Sequence, residues 1–395
     1  MKALVIAPQP FYSPRGTPLS VYYRTLVMAE LGVEIDFLTY GEGQDVDIPG
    51  VRFIRIPRFA FLGNAKVGPS YLKLFLDIFI ISRMIMLLIR NHYDFVHAHE
   101  EAIFFSYFLK PIFRYKLVYD MHSSLPQQLT NFKFTNSKLI IRTFKALEDA
   151  CLRKSDAIIT ICPDLYNYVN TIIRDQSRHF LIENSIIEPV RLKDASPETN
   201  STAEYHIPNL KELKAGKKLL VYAGTLEEYQ GIDILIEAFH YVHEKAPDTL
   251  LLIVGGRPDQ VQRYSTLAQS LGIAEAVIFT GRVPQLEAKY YTNQADVLLS
   301  PRSSGTNTPL KVYEQLASGI PLVATDIYSH TQVLTNEVAF LVKPEPRAMG
   351  EGILACLHSN GETNRKVENA RRLYEQKYSR QVYTEKIKKL LDTLR

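Results

Sequence analysis

Residues 300–324 read SPRSSGTNTPLKVYEQLASGIPLVA, and this stretch decides the fold class. It begins at the end of a short apolar run, Val297–Ser300, and finishes with another apolar run, PLVA. Between the two runs we predict a helix with Thr308 as its N-cap, Pro309 as its first residue and Gly319 just after its end. A strand, a helix and a second strand in this order predict parallel strands in one sheet.

The same alternation of strands and helices runs through both halves of the chain. In the first half, a helical pattern over Ser20–Leu31 stops at Gly32 between two apolar runs. Further alternation on both sides predicts α/β architecture, with parallel sheets covered by helices on both faces. The predicted strands are Lys2–Ala7, Glu34–Thr39, Phe53–Ile56, Phe95–Ala98, Leu117–Tyr119 and Ala157–Ile161, then Leu219–Ala223, Leu250–Val254, Val277–Thr280, Val297–Ser300 and Pro321–Ala324.

The alternation is interrupted once, over residues 188–216, which are polar and rich in Pro, Ser, Thr and Asn. We interpret this stretch as a linker or long loop. The sequence therefore predicts two Rossmann-like, doubly wound domains, over residues 1–190 and 191–378. A final amphipathic helix covers residues 379–395, and the sequence leaves open whether it closes the second domain or crosses to the first. If the carboxyl ends of both sheets face one cleft, the ligand binds there.

Composition narrows the class of protein. The chain has 395 residues, enough for two domains, and a net charge of +4, too small to indicate a nucleic-acid partner. Its three cysteines form no CxxC pair, which favours a reducing cytoplasm. The opening residues MKALVIAPQP lack the apolar run of a signal peptide.

The segment before and within the predicted helix also has the residues of an anion site. The loop SSGTNT is small and polar, and a helix N-terminus presents free N–H groups to an anion. Lys311 and Glu314 share one helix face, so a cation beside a phosphate and a carboxylate beside ribose hydroxyls would suit a nucleotide diphosphate. The alternative is an ordinary capped helix with a solvated Lys–Glu pair.

This segment resembles the donor-binding motif of the family-4 glycosyltransferases, which adopt the GT-B fold. Their pattern is Glu-x7-Glu, a helix end of small residues and a Gly-x-Pro strand entry, and EQLASGIPLVATD follows it closely. The resemblance assigns Glu314 to the ribose hydroxyls. The first Glu of the motif falls on Thr306, whose neighbours Asn307 and Thr308 are expected to bind sugar hydroxyls. Thr306 and Leu310 are also assigned to the donor-binding site.

The resemblance extends to other donor-binding positions. In YAGTLEEYQGIDILIEAF, residues 222–239, the usual Arg and Lys that neutralise the diphosphate fall on Thr225 and Gln230. We expect Arg302 and Lys311 to replace them, with Lys311 in a catalytic role. Arg282, in FTGRVP, is expected to stack on the nucleobase or pair with phosphate, and the alternative is an ordinary turn arginine.

In the first domain, the resemblance points to the loop PQPFYSPRG and to a histidine. Gly16, with Arg15 and Thr17, is expected to face the donor across the cleft. His122 follows the predicted strand Leu117–Tyr119 and matches a functional histidine near the transferred sugar, so we assign it as catalytic. A hydrogen-bonded structural histidine is the alternative, and the same choice applies to the other polar residues at a strand end, His97, His99 and Glu100.

No metal site is predicted. His97 and His99 lie two apart, and no further ligands are seen near them at zinc spacings. The resemblance implies a metal-independent enzyme without a cofactor, which acts in polysaccharide biosynthesis. It would move a hexose from a nucleotide diphosphate sugar to a glycan or lipid-linked acceptor, with retention of anomeric configuration. Two alternatives stay open: an epimerase or hydrolase of nucleotide sugars, and a non-catalytic nucleotide-sugar-binding partner.

The segment YLKLFLDIFIISRMIMLLIR, residues 71–90, has the length of a membrane span but carries Lys73, Asp77 and Arg83. We predict a helix that is either buried in the domain, the favoured interpretation, or lies against a membrane surface. Residues 1–195 contain 23 Lys and Arg against 19 Asp and Glu, and the basic flanks favour peripheral contact with the cytoplasmic face of a membrane.

Overall fold

The chain forms two compact units. The N-terminal unit contains Met1–Ile186, Val190–Ala195 and Arg380–Arg395, and the C-terminal unit contains Ile187–Pro189 and Ser196–Ser379. The last helix therefore belongs to the N-terminal unit. The computed structural model describes residues 1–13, 16–59, 70–126, 137–193, 206–207 and 210–395, so about half of the predicted linker lies outside the described residues.

The N-terminal unit contains a parallel sheet of seven strands in the order β3-β2-β1-β4-β5-β6-β7. The central strands are buried over nearly their whole length, as expected for a sheet covered on both faces. The chain order reverses where β1 pairs with both β2 and β4, and ligands bind at such a switch point, at the carboxyl ends of the strands. The strands are β1 (Lys2–Ala7), β2 (Glu34–Thr39), β3 (Val51–Arg55), β4 (Phe95–His99), β5 (Lys116–Met121), β6 (Ala157–Thr160) and β7 (His179–Leu181).

Helices cover both faces of this sheet. One face packs against the first and last helices of the chain, whose apolar residues share one cluster. The other face packs against the helices that connect β3 to β4, β4 to β5 and β5 to β6. The helices are α1 (Gly16–Glu30), α2 (Tyr71–Arg90), α3 (Ala102–Phe113), α4 (Lys138–Lys154) and α5 (Pro163–Asn170), together with the last helix, Arg380–Thr393.

The C-terminal unit repeats this architecture with six parallel strands in the order β10-β9-β8-β11-β12-β13. Its switch point lies between β8 and β11, which are paired through Leu298 and Val221. The strands are β8 (Lys218–Ala223), β9 (Thr249–Val254), β10 (Val277–Gly281), β11 (Val297–Ser300), β12 (Leu322–Thr325) and β13 (Phe340–Val342).

The helices of the C-terminal unit alternate with these strands along the chain. They are α6 (Leu210–Lys214), α7 (Ile232–Lys245), α8 (Pro258–Ser270), α9 (Gln285–Asn293), α10 (Lys311–Ser318), α11 (Tyr328–Thr331), α12 (Pro346–His358) and α13 (Asn360–Lys377), and the last helix of the chain is α14 (Arg380–Thr393). The predicted α/β class with two doubly wound, Rossmann-like domains is confirmed. Two strands were not predicted, β7 and β13, because each has only three residues and too little pattern to recognise.

Helix α2 is buried on one side only. Leu76, Ile80 and Met84 pack into the core of the N-terminal unit, whereas Tyr71 and Ile78 are 79% and 62% exposed. The prediction that residues 71–90 form a helix buried in the domain is therefore correct for one side of the helix only. Within the described residues, every helix is too short or too polar to traverse a bilayer.

Candidate functional site

Two loops meet at the carboxyl ends of β8 and β11. The loop after β8 reaches the loop after β11 through a hydrogen bond from the Ser303 backbone N–H to the Tyr229 carbonyl oxygen (2.9 Å). Gly231 has a φ of 68°, and a Cβ atom there would lie 2.1 Å from the Pro301 carbonyl oxygen. Only glycine allows this close approach, which brings the predicted segments 224–231 and 300–310 together.

Helix α10 begins at Lys311, so the prediction of Pro309 as its first residue and Thr308 as its N-cap is wrong. The backbone N–H of Val312 donates to the carbonyl of Pro309 (3.1 Å), an i→i+3 turn that precedes the helix. Leu310 occupies the cap position without a side-chain hydrogen bond. The Thr308 hydroxyl is instead buried and has no hydrogen-bond partner among the described residues.

Lys311 points inward rather than to solvent. Its Nζ atom lies 4.1 Å from the centre of the Tyr222 ring, is buried, and makes no hydrogen bond with the described residues. Burial, together with the nearby charge of Arg302, lowers the pKa of the Lys311 ammonium to about 7. A Cβ atom at Gly224 would lie 3.6 Å from Nζ, so glycine leaves the approach to this cation open. The site therefore holds a desolvated cation that has no anionic partner among the described residues.

Arg302 shapes the loop that precedes α10. Its Nε donates to the Ser304 carbonyl (2.7 Å), its Nη1 donates to the Asn307 carbonyl (3.3 Å), and its guanidinium lies over the ring of Tyr229 at 5.1 Å. Gly305, with a φ of 126°, passes under this group. Arg302 and Lys311 thus contribute two cations to one site. Among the described residues, no carboxylate contributes to the electrostatic environment of Lys311 Nζ.

The other predicted donor-binding residues of segment 300–314 differ in their exposure and contacts. Glu314 is exposed as a residue. Its carboxyl group is the buried part, and this burial raises the pKa of the carboxyl, whereas the charge of Lys289 lowers it. Thr306 is exposed, and its carbonyl accepts a hydrogen bond from the Gln332 side chain. Asn307 and Leu310 are partly buried.

The remaining donor-binding predictions fall on the neighbouring loops. Thr225 is exposed, and its carbonyl accepts the hydroxyl of Tyr222 (2.6 Å). Gln230 ends a 3₁₀ turn, and its Oε1 is buried without a partner among the described residues. Arg282 lies exposed after β10, three strands away from β11 in the sheet. Gln230 follows Tyr229, whose carbonyl and ring contact the loop after β11, and the role of Arg282 at the nucleobase or phosphate stays a prediction.

The N-terminal unit has its own buried polar group, which we call the histidine cluster: His97, His99, Asp120 and His122. Strand pairing places His99 beside Asp120, at the carboxyl ends of β4 and β5. Asp120 Oδ2 lies 3.0 Å from His97 Nε2 and 3.2 Å from His99 Nδ1, and Oδ1 lies 3.3 Å from His122 Nε2. All four side chains are buried.

A fifth residue, Arg24 of α1, balances the charge of this cluster. Its Nη1 forms a buried ion pair with Asp120, its Nη2 donates to the Ile182 carbonyl (2.8 Å), and its Nε contacts the Tyr383 hydroxyl of α14 (3.4 Å). Burial alone would raise the pKa of Asp120, but Arg24 holds that pKa well below its usual value. Burial lowers the pKa of His122 to about 4 in spite of the Asp120 charge, so its imidazole is neutral at pH 7.

The prediction that no further metal ligand lies near His97 and His99 is wrong, because Asp120 brings a carboxylate within 4.8 Å of both imidazoles. This contact is formed between two neighbouring strands, so the spacing of residues along the sequence does not predict it. The donor set nevertheless suits a hydrogen-bonded network better than an ion. A divalent cation beside the buried Arg24 would leave this site with more positive than negative charge.

The other predicted residues of the N-terminal unit lie near the same sheet edge or at α1. Glu100 has a left-handed φ of 51°, accepts a hydrogen bond from Ser123 (3.1 Å), and has its pKa raised to about 8, chiefly by burial. Gly16 is exposed at the start of α1, and Thr17 is partly buried. Arg15 lies outside the described residues.

Sequence reasoning missed Arg24 and Tyr383 in this site, and His330 in the other unit. Arg24 is the one cation in the apolar run SVYYRTLVMAEL, which was a usable signal for a buried ion pair. His330 contacts the Ser300 hydroxyl (3.0 Å) and the Thr325 carbonyl (2.8 Å), and so fixes the ends of β11 and β12. Nothing in its local sequence marks that role.

Comparisons with known proteins cover both units. The family model of glycosyl transferases group 1 matches residues 207–373, and the model of glycosyltransferase family 4 matches residues 15–186. A putative glycosyltransferase of Bacillus subtilis, YtcC, is 29% identical over 166 residues, which cover 40% of this chain and 40% of that protein. The phosphatidyl-myo-inositol mannosyltransferase of Mycobacterium leprae is 25% identical over 375 residues, covering 91% of this chain and 88% of that protein.

Solved structures share the fold of the whole chain. HepE of Anabaena in complex with UDP has a TM-score of 0.72 at 16% identity, and the comparison covers all of both chains. The complex of the same protein with UDP-glucose gives a TM-score of 0.69. With one family model on each unit and this architecture throughout, the chain belongs to the family-4 glycosyltransferases and is a hexosyltransferase of the GT-B fold.

Proposed function

We propose that the protein transfers a hexose from a nucleotide diphosphate sugar to a glycan or lipid-linked acceptor, with retention of anomeric configuration and without a metal ion. The observation that carries the donor side is Lys311, a buried ammonium with no hydrogen-bond partner among the described residues. A buried cation without a counter-anion is costly, and the diphosphate of a donor would supply the missing charge. The UDP and UDP-glucose complexes of HepE support a nucleotide-sugar donor.

The proposed chemistry is electrostatic. Transfer breaks the bond between the anomeric carbon and a diphosphate oxygen, and negative charge grows on the leaving diphosphate. Lys311 and Arg302 stabilise that charge from a preorganised, partly desolvated position. Glu314 accepts hydrogen bonds from the ribose hydroxyls, and the buried hydroxyl of Thr308 is available to the donor.

We assign His122 to a sugar hydroxyl of the substrates. With its pKa lowered to about 4, the imidazole is neutral at pH 7, and a neutral imidazole has one donor nitrogen and one acceptor nitrogen. The hexose class is supported by the mannosyltransferase relative. We place the enzyme in the cytoplasm, in polysaccharide biosynthesis, with peripheral contact to the cytoplasmic face of a membrane.

Glu314→Gln is expected to weaken binding of the donor nucleotide about 10- to 100-fold, because a hydrogen bond to a charged group contributes roughly 1.5–3 kcal/mol. Calorimetric titration with uridine and guanosine diphosphates measures the loss. Glu237→Gln, on the exposed side of α7, is the matched control and should bind as the unmodified protein does. Equal affinity in the Glu314 and Glu237 variants would contradict the assignment.

Metal independence is expected to appear as full activity in excess chelator, since the two cations replace a divalent ion at the diphosphate. Release of labelled nucleotide diphosphate from a matched donor and acceptor, with and without EDTA, is the measurement. Activity that disappears with EDTA and returns with magnesium or manganese would refute the proposal.

Product analysis in the same assay separates the alternative functions. Epimerised or free sugar would indicate an epimerase or hydrolase, and the absence of turnover would indicate a non-catalytic binding partner.

A further inference from the structure

Helix α2 presents an apolar stripe to solvent, interrupted once at Ser82. Its exposed residues recur every three or four positions, which places them on one side of the helix. The opposite side packs on the sheet through Leu76, Ile80, Met84, Leu87 and Leu88. The large apolar residues of the stripe are Tyr71, Leu74, Phe75, Ile78, Met86 and Ile89, all at least 39% exposed.

The stripe continues over the two neighbouring helices. Phe108 and Ile112 of α3 are 60% and 69% exposed, and Leu139 and Ile140 of α4 are 75% and 43% exposed. The three helices cover the same face of the sheet, because their buried sides share one core cluster. Ten of the 14 large apolar residues that are exposed in the described part of the chain belong to them. Such concentration on one face is unusual for a surface that meets only water.

The charge of these helices is one-sided. The acidic side chains of these helices have partners within the protein. Asp77 accepts a hydrogen bond from the Tyr40 hydroxyl (2.7 Å), Glu148 accepts one from the Ser124 hydroxyl (2.8 Å), and Asp149 forms an ion pair with Lys145 (3.1 Å). Besides Lys145, the exposed cations on the helices and on the residue after α3 are Arg90, Arg114, Lys138, Arg142, Arg153 and Lys154. Apolar side chains flanked by cations match a surface with an anionic rim and an apolar interior.

We propose that α2, α3 and α4 together form a docking surface for an anionic lipid bilayer. The cations contact lipid phosphates, and the exposed apolar side chains enter the headgroup region without crossing it. Near its N-terminus, α2 is joined to the residues after β4 by the Lys73–Glu101 ion pair (2.5 Å). The docked surface therefore adjoins the carboxyl edge of the sheet that carries His122.

The inference rests on the proposed function in one respect, since a bilayer at this edge would present a lipid-linked acceptor. Vesicle binding by itself requires neither donor nor activity. Failure of the surface and failure of the donor site can therefore be told apart: the first is measured with lipid alone, and the second with nucleotide alone.

The test is flotation of the full chain with vesicles of phosphatidylcholine, with and without phosphatidylglycerol, over a series of salt concentrations. We expect binding that requires phosphatidylglycerol and weakens as salt rises. The double variant Ile78→Gln, Ile112→Gln should weaken partition about tenfold or more, because two inserted aliphatic side chains are lost. Lys138→Gln with Arg142→Gln should weaken it and flatten the salt dependence. Leu213→Gln with Leu286→Gln, at exposed apolar positions of the C-terminal unit, should bind as the unmodified protein does.

All variants replace exposed residues, and their affinity for uridine or guanosine diphosphate should stay unchanged, which reports an intact fold. Equal binding to neutral and anionic vesicles, or no binding at low salt, would overturn the proposal. So would dimers in light scattering that dissociate in the Ile78, Ile112 variant, since the surface would then cover a second copy of the chain.

Discussion

Replacing Lys311 by methionine is expected to lower turnover about 10²- to 10³-fold, the usual cost of removing one preorganised donor from a developing negative charge. The same change should stabilise the folded protein, by roughly 1–3 kcal/mol at neutral pH, because the ammonium is buried without a counter-anion. A residue that is harmful to the fold and essential to the reaction is typical of a binding site. Steady-state kinetics and thermal unfolding measure the two effects.

The stabilisation should depend on pH in a defined direction. The pKa of Lys311 is lowered to about 7 in the folded state, so between pH 7 and about 10.5 the unfolded chain binds more protons than the folded one. The destabilising effect of Lys311 is therefore complete below pH 7 and disappears as pH rises towards the unfolded pKa. The advantage of the methionine variant should be large at pH 6 and small at pH 10.

Binding of the donor should also depend on pH through the protonation of Lys311. A diphosphate favours the charged ammonium, so binding above pH 7 takes up a proton, and affinity should fall by up to tenfold per pH unit until the pKa of the complex is reached. Calorimetry in buffers of different ionisation enthalpy detects that proton. Lys343→Met, at an exposed lysine of the same unit, should change neither stability nor affinity. A Lys311 variant with unchanged affinity and turnover would remove the basis of the proposed donor site.

The sequence predicted the fold because strand–helix alternation is a local property. The bounds of Lys2–Ala7 and Glu34–Thr39 agree with the structure residue by residue, since both are apolar runs closed by turn signals. The segment 300–324 also predicted which loop carries the cations. It did not predict that Lys311 turns inward, because a lysine three positions before a glutamate reads equally well as a solvated pair.

Contacts between distant segments were the part that local pattern could not supply. His122 was selected as the histidine after a strand, but its setting depends on Arg24, 98 positions earlier in the chain, and on Tyr383 in the last helix. The pairing of β4 with β5 places Asp120 beside His99, and the sequence around either residue does not predict this contact. A single cation inside an apolar helical run was the only trace of this network in the sequence.

That network supports the second large effect. Arg24→Met should destabilise the folded protein by about 3–5 kcal/mol, because Asp120 would keep its charge in a buried site without its ion-pair partner. Asp120→Asn should cost a similar amount by leaving Arg24 unpaired. The double variant should recover part of the loss, since it removes both charges, and a double-mutant cycle of chemical unfolding measures the coupling.

The pH dependence of stability distinguishes this account from simple loss of packing. In the unmodified protein the pKa of His122 lies at about 4, so the unfolded chain binds more protons between pH 4 and 6.5, and stability falls as pH falls through this window. In Arg24→Met, the guanidinium charge that helps to lower the pKa of His122 is lost, so this pKa moves up towards its unfolded value and the variant loses less stability as pH falls. The deficit of the variant should therefore shrink from pH 8 to pH 5.5. A deficit that stays constant across this range would show that Arg24 acts by filling space and not by balancing the buried charge of Asp120.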